Sequence, residues 1–271
     1  MTWFEVLTGF RETLPSRVRQ NITIDGETLT SRVNGKVMAY GRLETPSLAE
    51  LRERVQHVRS GAGGGGNISV QEVVADVQAL HVDISQAGSL FQVASQFNLL
   101  EMTSPSVIPE DGVGIYEHDH TQGPACAIAA GAGTIYRNYF APVNGQIGQS
   151  ESHQIDCLVD LGRALGNSHN RLWHMRNGYA LAARIGLIEI SNRLRVSSEN
   201  ERDELRKLLR IGIQWQTQVT LKECTHRVSQ AYCSALPVAS SNHSPDLWED
   251  FARLVLEASY EATICTAILN W

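Results

Sequence analysis

The sequence predicts an α/β protein in which helices cover both faces of a mixed sheet, a three-layer arrangement. Segments with the two-residue periodicity of strands alternate along the chain with segments of helical periodicity, and such interleaving is typical of a sheet between two helical layers. The 271 residues are 42% hydrophobic and 19% charged, an ordinary composition for a globular protein. We see no internal repeat and no convincing linker between domains, so we predict a single domain over 1–271.

The first 60 residues predict an N-terminal extension of hairpins followed by one helix. Alternating runs at 22–24 and 37–40 are separated by the turn pairs Asp25-Gly26 and Asn34-Gly35, which are typical of hairpins. The capping box Ser-Leu-Ala-Glu at 47–50 predicts the start of a helix that ends near residue 59. The glycine-rich run after this helix is interpreted as a flexible stretch, with a phosphate-binding loop as the alternative.

The rest of the chain predicts the main sheet and its helices. A buried strand at 89–95 opens a long irregular segment, and Pro124 then begins a helix rich in alanine and glycine that ends near Tyr139. The last helix is capped at Ser244, with Pro245 at its first position. The remaining predicted elements are helices at 69–81, 151–165, 182–194 and 199–209, a strand or turn near 172–180, and strands at 211–221 and 227–239.

Charge and hydropathy exclude several classes of protein. The net charge of −6 argues against nucleic acid as a partner, because proteins that bind it neutralise phosphates with a basic face. The N-terminus lacks a signal-peptide pattern, and no run of about 18 apolar residues occurs, so we expect a cytoplasmic protein with no membrane partner. The five cysteines form no CxxC motif and no Cys/His cluster, and we expect reduced thiols, mostly in the core.

Polar side chains concentrate in the loop between the predicted buried strand and the alanine-rich helix. In open α/β sheets, ligands bind beyond the carboxyl ends of strands, and this loop occupies that position. Gly123 lies at the start of the helix, where backbone N–H groups can bind a phosphate without any Lys or Arg. The alternative is that Gly123 only marks the start of the helix and binds no ligand. Asn98 and the glutamines Gln92, Gln96 and Gln122 could hydrogen-bond a ribose or an amide, with a turn-forming role as the alternative for Asn98.

Asp111 and Asp119 are the candidate catalytic residues. They lie on either side of a turn, and two converging carboxylates can divide the roles of acid or base and of charge stabilisation. A solvated turn is the alternative, since Asp111-Gly112 is a typical turn pair. A metal site at His118-Asp119-His120 is a further alternative, because both imidazoles can lie on one face of a strand. Mg²⁺ held by the two aspartates is another.

A second candidate wall of the site lies in the strand predicted at 227–239. Ser234 and Ala235 are small residues followed by Pro237, so they would leave room for a pyrophosphate. Packing at a sheet edge is the alternative interpretation of this segment.

Five motifs carry a family resemblance: FQVASQFNLLEM, PEDG, YEHD and TQGPACAIAAGAGTIYRNYF within 91–140, and SQAYCSALPVA at 229–239. They resemble the divergent macrodomain-like ADP-ribosyl hydrolases, which remove ADP-ribose from modified arginine, in one member on ubiquitin. The resemblance implies a three-layer α/β/α macrodomain-like fold that binds ADP-ribose. Acidic residues in the loop after the strand would act at the distal ribose.

The motifs also assign roles to individual residues. Asp111 of PEDG and Asp119 of YEHD match the functional aspartates of the family. We expect Asp111 to bind the distal ribose and Asp119 to position or activate water. A further family aspartate would fall within 123–132, where this chain has none, and no GGG loop follows Asn98. The ligand-binding residues implied by the motifs and the loop analysis are Gln92, Asn98, Thr121, Gln122, Gly123, Ser234 and Ala235.

These expectations describe a hydrolase that cleaves the N-glycosidic bond between ADP-ribose and a modified arginine of a partner protein, with ubiquitin as one candidate. No cofactor is expected, with Mg²⁺ as the alternative. Two other functions stay open. One is a non-catalytic module that binds ADP-ribose or an NAD-derived nucleotide, and the other is a metal-dependent hydrolase that uses His118, Asp119 and His120.

Overall fold

The structure is a computed structural model that describes residues 1–61, 67–76, 79–80, 83–86, 88–92, 95–119, 122–215, 232–233 and 245–270. It is a mixed helix-and-strand protein, which is compatible with the predicted α/β class. The strands are short, and their described residues form one three-stranded and four two-stranded sheets. The prediction of one domain over 1–271 is not tested and stays a prediction.

The N-terminal region folds as the predicted hairpins, preceded by two helices that the sequence did not predict. Strands β1, β2 and β3 form an antiparallel sheet, with Leu29 opposite both Ile24 and Met38. The first helix begins at a capping box, in which Thr2 and Glu5 bond each other's backbone N–H groups. The elements are α1 (Trp3–Thr8), α2 (Pro15–Asn21), β1 (Ile22–Asp25), β2 (Thr28–Ser31) and β3 (Val37–Ala39).

A larger core forms between the next helix and the C-terminal helices. The predicted capping box at 47–50 is confirmed: the Ser47 N–H donates to Glu50 Oε2 at 2.6 Å, and the Glu50 N–H donates to Ser47 Oγ at 3.2 Å. Arg52 ties this helix to two others through Asp203 and Glu261. The helices are α3 (Leu48–Gly61), α6 (Val159–Leu165), α7 (Arg184–Val196), α8 (Glu199–Arg206) and α9 (Pro245–Asn270), and they bury a common set of leucines, isoleucines and aromatic residues.

The remaining strands and helices position the central loop. Strand β5 (Phe91–Gln92) pairs in parallel with β11 (Tyr232–Cys233), and β4 (Arg42–Glu44) pairs with β10 (Ile213–Trp215) antiparallel. Because β5 and β11 are parallel, their carboxyl ends lie at the same edge. The other elements are α4 (Gln122–Ala129), α5 (Ala132–Tyr139), and the hairpins β6–β7 (Pro142–Val143 and Gln146–Ile147) and β8–β9 (Trp173–Arg176 and Tyr179–Ala182).

Several predicted boundaries are wrong. The helix at 69–81 is absent from 69–76, where the chain is irregular and Val70, Val73 and Val74 are exposed, so its apolar stripe has no surface to cover. The single helix from Pro124 to Tyr139 is two helices that meet at Gly131, whose φ of 25° is unsuited to most side chains. The helix at 151–165 begins only at 159, since 151–158 forms turns.

Three further predictions are covered only in part. Of the strands at 211–221 and 227–239, the described residues include β10 and β11 only. Cys157 and Cys265 are buried free thiols and Cys126 is buried, whereas Cys224 lies outside the described residues. In the part of the chain that the structure describes, no helix is both long and apolar enough to cross a membrane.

Candidate functional site

Asn98 organises a tight buried turn at 97–100, a few residues beyond β5. Its Oδ1 accepts the N–H of Leu100 at 3.0 Å, and its Nδ2 donates to Gln154 Oε1 at 2.8 Å. Leu99 within the turn has a φ of 65°, which is uncommon for a leucine and is stabilised here by its surroundings. Both polar atoms of the fully buried Asn98 side chain therefore have hydrogen-bond partners within the protein. The predicted contact of Asn98 with a ribose stays a prediction.

Glu101 follows this turn and lies in the interior, where the residue is only 7% exposed. The Glu101 N–H donates to the Tyr116 hydroxyl at 3.2 Å. The next residue is held on both sides, because the Met102 N–H donates to Gln96 Oε1 at 2.7 Å and the Tyr179 hydroxyl donates to the Met102 carbonyl. The backbone that carries the Glu101 carboxyl is thus fixed by three side chains, those of Gln96 in the same loop and of Tyr116 and Tyr179 from distant segments.

Two charged groups act on the Glu101 carboxyl. Burial raises the pKa of Glu101 well above its ordinary value of 4.5. The positive charge of Arg137 lowers this pKa and the negative charge of Asp119 raises it, but burial is the largest effect. The carboxyl therefore retains its proton at pH values where an exposed glutamate has lost it.

Arg137 is a buried cation between α5 and β10. Its Nη1 donates to Gln214 Oε1 at 3.3 Å, and its Nη2 donates to Thr134 Oγ1 at 3.0 Å. The Gln149 side chain bonds the Arg137 carbonyl at 3.0 Å. These contacts fix a positive charge near Glu101 in the protein interior.

The two predicted catalytic aspartates lie in different environments. Asp119 is half-buried just ahead of α4, close enough to Glu101 for its charge to act on that carboxyl. Asp111 is exposed, and its Oδ2 accepts the Ile108 N–H at 2.9 Å, so it closes the short 3-10 helix Pro109–Asp111. This contact matches the alternative of a turn aspartate, while a catalytic role for either residue is not tested.

The other predicted ligand residues are only partly described. Gly123 is buried in the first turn of α4, and Gln92 is half-buried in β5. Gln122 begins α4, but its side chain lies outside what the structure describes. The predicted residues Thr121, Ser234 and Ala235, and His120 of the alternative metal site, also lie outside the described residues.

Metal binding has no support from the described side chains. They include no group of three His, Cys, Asp or Glu residues that could hold a metal ion. His118 is exposed. Because His120 lies outside the described residues, the alternative metal site at 118–120 is left untested.

Glu12 anchors the N-terminal region to the segment that leads to Asp119. Its Oε1 accepts the Val113 N–H at 2.9 Å and the Tyr139 hydroxyl at 2.7 Å, and its Oε2 accepts the Gly114 N–H at 2.7 Å. Burial raises the pKa of Glu12, against the lowering effect of these three hydrogen bonds. Glu12 thereby fixes the approach to the candidate site from a distant part of the chain.

We expect Glu12→Gln to destabilise the protein by about 1–3 kcal/mol, because an amide cannot accept hydrogen bonds at both ends and leaves a buried partner unsatisfied. Urea unfolding of the variant and the wild type measures the difference. Glu53→Gln, at an exposed position of α3, is the matched control and should change stability by less than about 0.5 kcal/mol. Equal urea midpoints for Glu12→Gln and the wild type would contradict the anchoring role.

Sequence reasoning missed Glu12, Glu101 and Arg137 as parts of this region. Glu101 had a detectable signal, since it is an acidic residue directly after an apolar pair within the FQVASQFNLLEM motif. Arg137 lies on a helix whose neighbouring residues are almost all buried. Glu12 has no local signal, because its partners lie 101 to 127 residues away along the chain.

Comparison of the chain with protein-family models, with curated proteins and with solved structures finds no match in any of the three. A proposal for the function of the chain therefore rests on the residues of the candidate site.

Proposed function

We propose that the chain is an ADP-ribosyl hydrolase with a three-layer macrodomain-like fold. It binds ADP-ribose and cleaves the N-glycosidic bond between the distal ribose and a modified arginine of a protein, with ubiquitin as one candidate substrate. The reaction as proposed uses no resident cofactor. The observation that carries the proposal is that the charge of the half-buried Asp119, just ahead of α4, acts on the buried carboxyl of Glu101.

The start of α4 supports the binding of a pyrophosphate. Gly123 and Pro124 are buried in its first turn, and the residues that follow are small or apolar, so the helix end can approach a ligand closely. Unpaired N–H groups at a helix start attract anions without Lys or Arg. This explains how a chain of net charge −6 can hold an anionic nucleotide.

The two carboxyl groups support cleavage at the distal ribose. As the bond from C1 of the ribose to the guanidine nitrogen breaks, its electron pair stays with nitrogen and the sugar becomes an oxocarbenium-like cation. An ionised carboxylate nearby stabilises that cation and accepts a proton from the attacking water. We assign this role to Asp119, and we assign the distal ribose hydroxyls to Asp111.

Asp119→Asn is expected to lower the rate of ADP-ribose release from an arginine-ADP-ribosylated protein by about 10²–10⁴-fold, because the amide can neither accept the proton nor stabilise the cation. Release is measured by chromatography of free ADP-ribose, and binding by calorimetry. Asp111→Asn should mainly raise KM. Asp246→Asn, an exposed aspartate in the first turn of α9, is the matched control and should leave both quantities unchanged.

Each alternative function gives a different outcome. Full activity of Asp119→Asn would refute its catalytic role. A wild-type protein that binds ADP-ribose but releases none from the conjugate would be a binding module. Activity lost on addition of a chelator and restored by a divalent metal would indicate the metal-dependent hydrolase, and absence of heat with millimolar ADP-ribose would reject ADP-ribose as the ligand.

A further inference from the structure

The Glu101 carboxyl is a buried acid for which the described part of the chain supplies no hydrogen-bond donor. Within the described part of the chain, its two side-chain oxygens make no hydrogen bond and no ion pair, although 93% of the residue is buried, as its 7% exposure shows. Buried polar groups normally have partners, and an exception calls for an explanation. A site that holds such a group in place is expected to use it with a bound molecule.

The rigidity of the surrounding backbone makes this arrangement stable. Tyr116, Gln96 and Tyr179 hold the backbone on both sides of the Glu101 carboxyl. Gln96 also donates to the Tyr179 hydroxyl at 3.2 Å, which links two of these supports. Preorganised groups of this kind lose little entropy when they act on a ligand.

The titratable and charged groups that interact electrostatically with Glu101 come from several elements. They are Arg137 of α5, Asp119 ahead of α4, Cys126 of α4, Tyr116 of the 3-10 helix Gly114–His118 and Tyr179 of β9. Burial raises the pKa of the Cys126 thiol and of both phenols, so these groups hold their protons tightly. Glu101 and Asp119 are the carboxyl groups of this set.

We propose that Glu101 is the proton donor of the site, a role that rests on the proposed hydrolase function. As the bond from C1 of the ribose to nitrogen breaks, the Glu101 carboxyl gives its proton to the departing guanidine nitrogen, which has kept the electron pair. Water then adds to the sugar cation and passes one proton to Asp119. Glu101 recovers a proton from solvent and Asp119 loses its own, so the net reaction is hydrolysis alone.

The experiment compares Glu101→Gln with the wild type on two substrates. With an arginine-ADP-ribosylated protein, kcat should fall about 100-fold or more, while the affinity for ADP-ribose stays within a few-fold. With ADP-ribose linked to 4-nitrophenol, whose anion leaves without a proton, the variant should retain its rate. The decline of the wild-type rate at high pH should be missing from the variant.

The possible results separate this inference from the proposed function. A wild-type protein that neither binds ADP-ribose nor cleaves the conjugate refutes the hydrolase and the proton donor together. An active wild type with an equally active Glu101→Gln refutes the proton donor alone. Equal losses on both substrates, or a large loss of ADP-ribose affinity, indicate a structural role for Glu101 and also refute it.

Discussion

Gly186→Ala is expected to destabilise the protein by about 3 kcal/mol, because the core has no room for one added methyl group there. A Cβ atom at 186 would lie 2.1 Å from the Leu172 carbonyl oxygen and 2.7 Å from its Cα, both backbone atoms. Leu172 is buried, and its N–H donates to Asn167 Oδ1 at 2.7 Å. Helix α7 would therefore have to move away from the start of β8.

Replacing Gly186 by alanine has opposite expected effects on the free energy of unfolding in a crowded and in an open helix. In an open helix, replacing glycine by alanine stabilises by about 1 kcal/mol, so a stabilised variant would show that α7 does not approach Leu172 so closely. Urea unfolding measures the difference. Ile185→Ala is the matched control on the same helix, since Ile185 is 79% exposed, and its effect should stay within about 0.5 kcal/mol.

The stability of the protein is expected to fall as the pH rises above about 4.5, with Glu101 as the main cause. Unfolded Glu101 ionises near its ordinary pKa of 4.5, whereas burial raises the folded pKa well above this value. Between the two pKa values the folded state holds one more proton than the unfolded state, so raising the pH favours unfolding. One such proton corresponds to about 1.4 kcal/mol per pH unit.

Other groups with shifted pKa values can be separated from Glu101. Burial also raises the pKa of Glu12 and of Asp156, and both add to the decline with the same sign. The carboxyl with the strongest shift in the other direction, Asp203, has its pKa lowered mainly by its hydrogen bond with Arg52. Its contribution is present above its unfolded pKa of 3.8 and is lost at lower pH.

Unfolding in urea at several pH values between 5 and 8 tests this prediction in the wild type and in Glu101→Gln. The variant should show a flatter dependence and should equal or exceed the wild type in stability at the upper end, since the amide has no charge to bury. Glu12→Gln is the contrasting control, because it loses hydrogen bonds and should be less stable throughout. Parallel curves for Glu101→Gln and the wild type would contradict the raised pKa of Glu101.

Predictions from local patterns were most successful where one short segment contained the whole signal. The capping box at 47–50, the hairpin turns near Gly26 and Gly35 and the proline at the start of α9 each depend on neighbouring residues only. The helix predicted at 69–81 is absent over 69–76 because its valines find no surface to cover there. The break at Gly131 was missed because a run of alanine and glycine is equally compatible with one continuous helix, and the φ of 25° at Gly131 is set by the fold.

For the candidate site too, some features follow from the local sequence and others only from the tertiary structure. The sequence pattern proposes the loop after β5 and the candidate residues Asp111, Asp119 and Gly123, because residue type and spacing are properties of a local segment; their roles stay predictions. The tertiary structure determined which acids share an environment: Glu101 beside Asp119, with Asp111 on the surface. The reason is physical. Burial and neighbouring charges set the pKa of a carboxyl, and Glu101 is buried next to the charges of Arg137 and Asp119 only when distant segments of the chain come together in the fold.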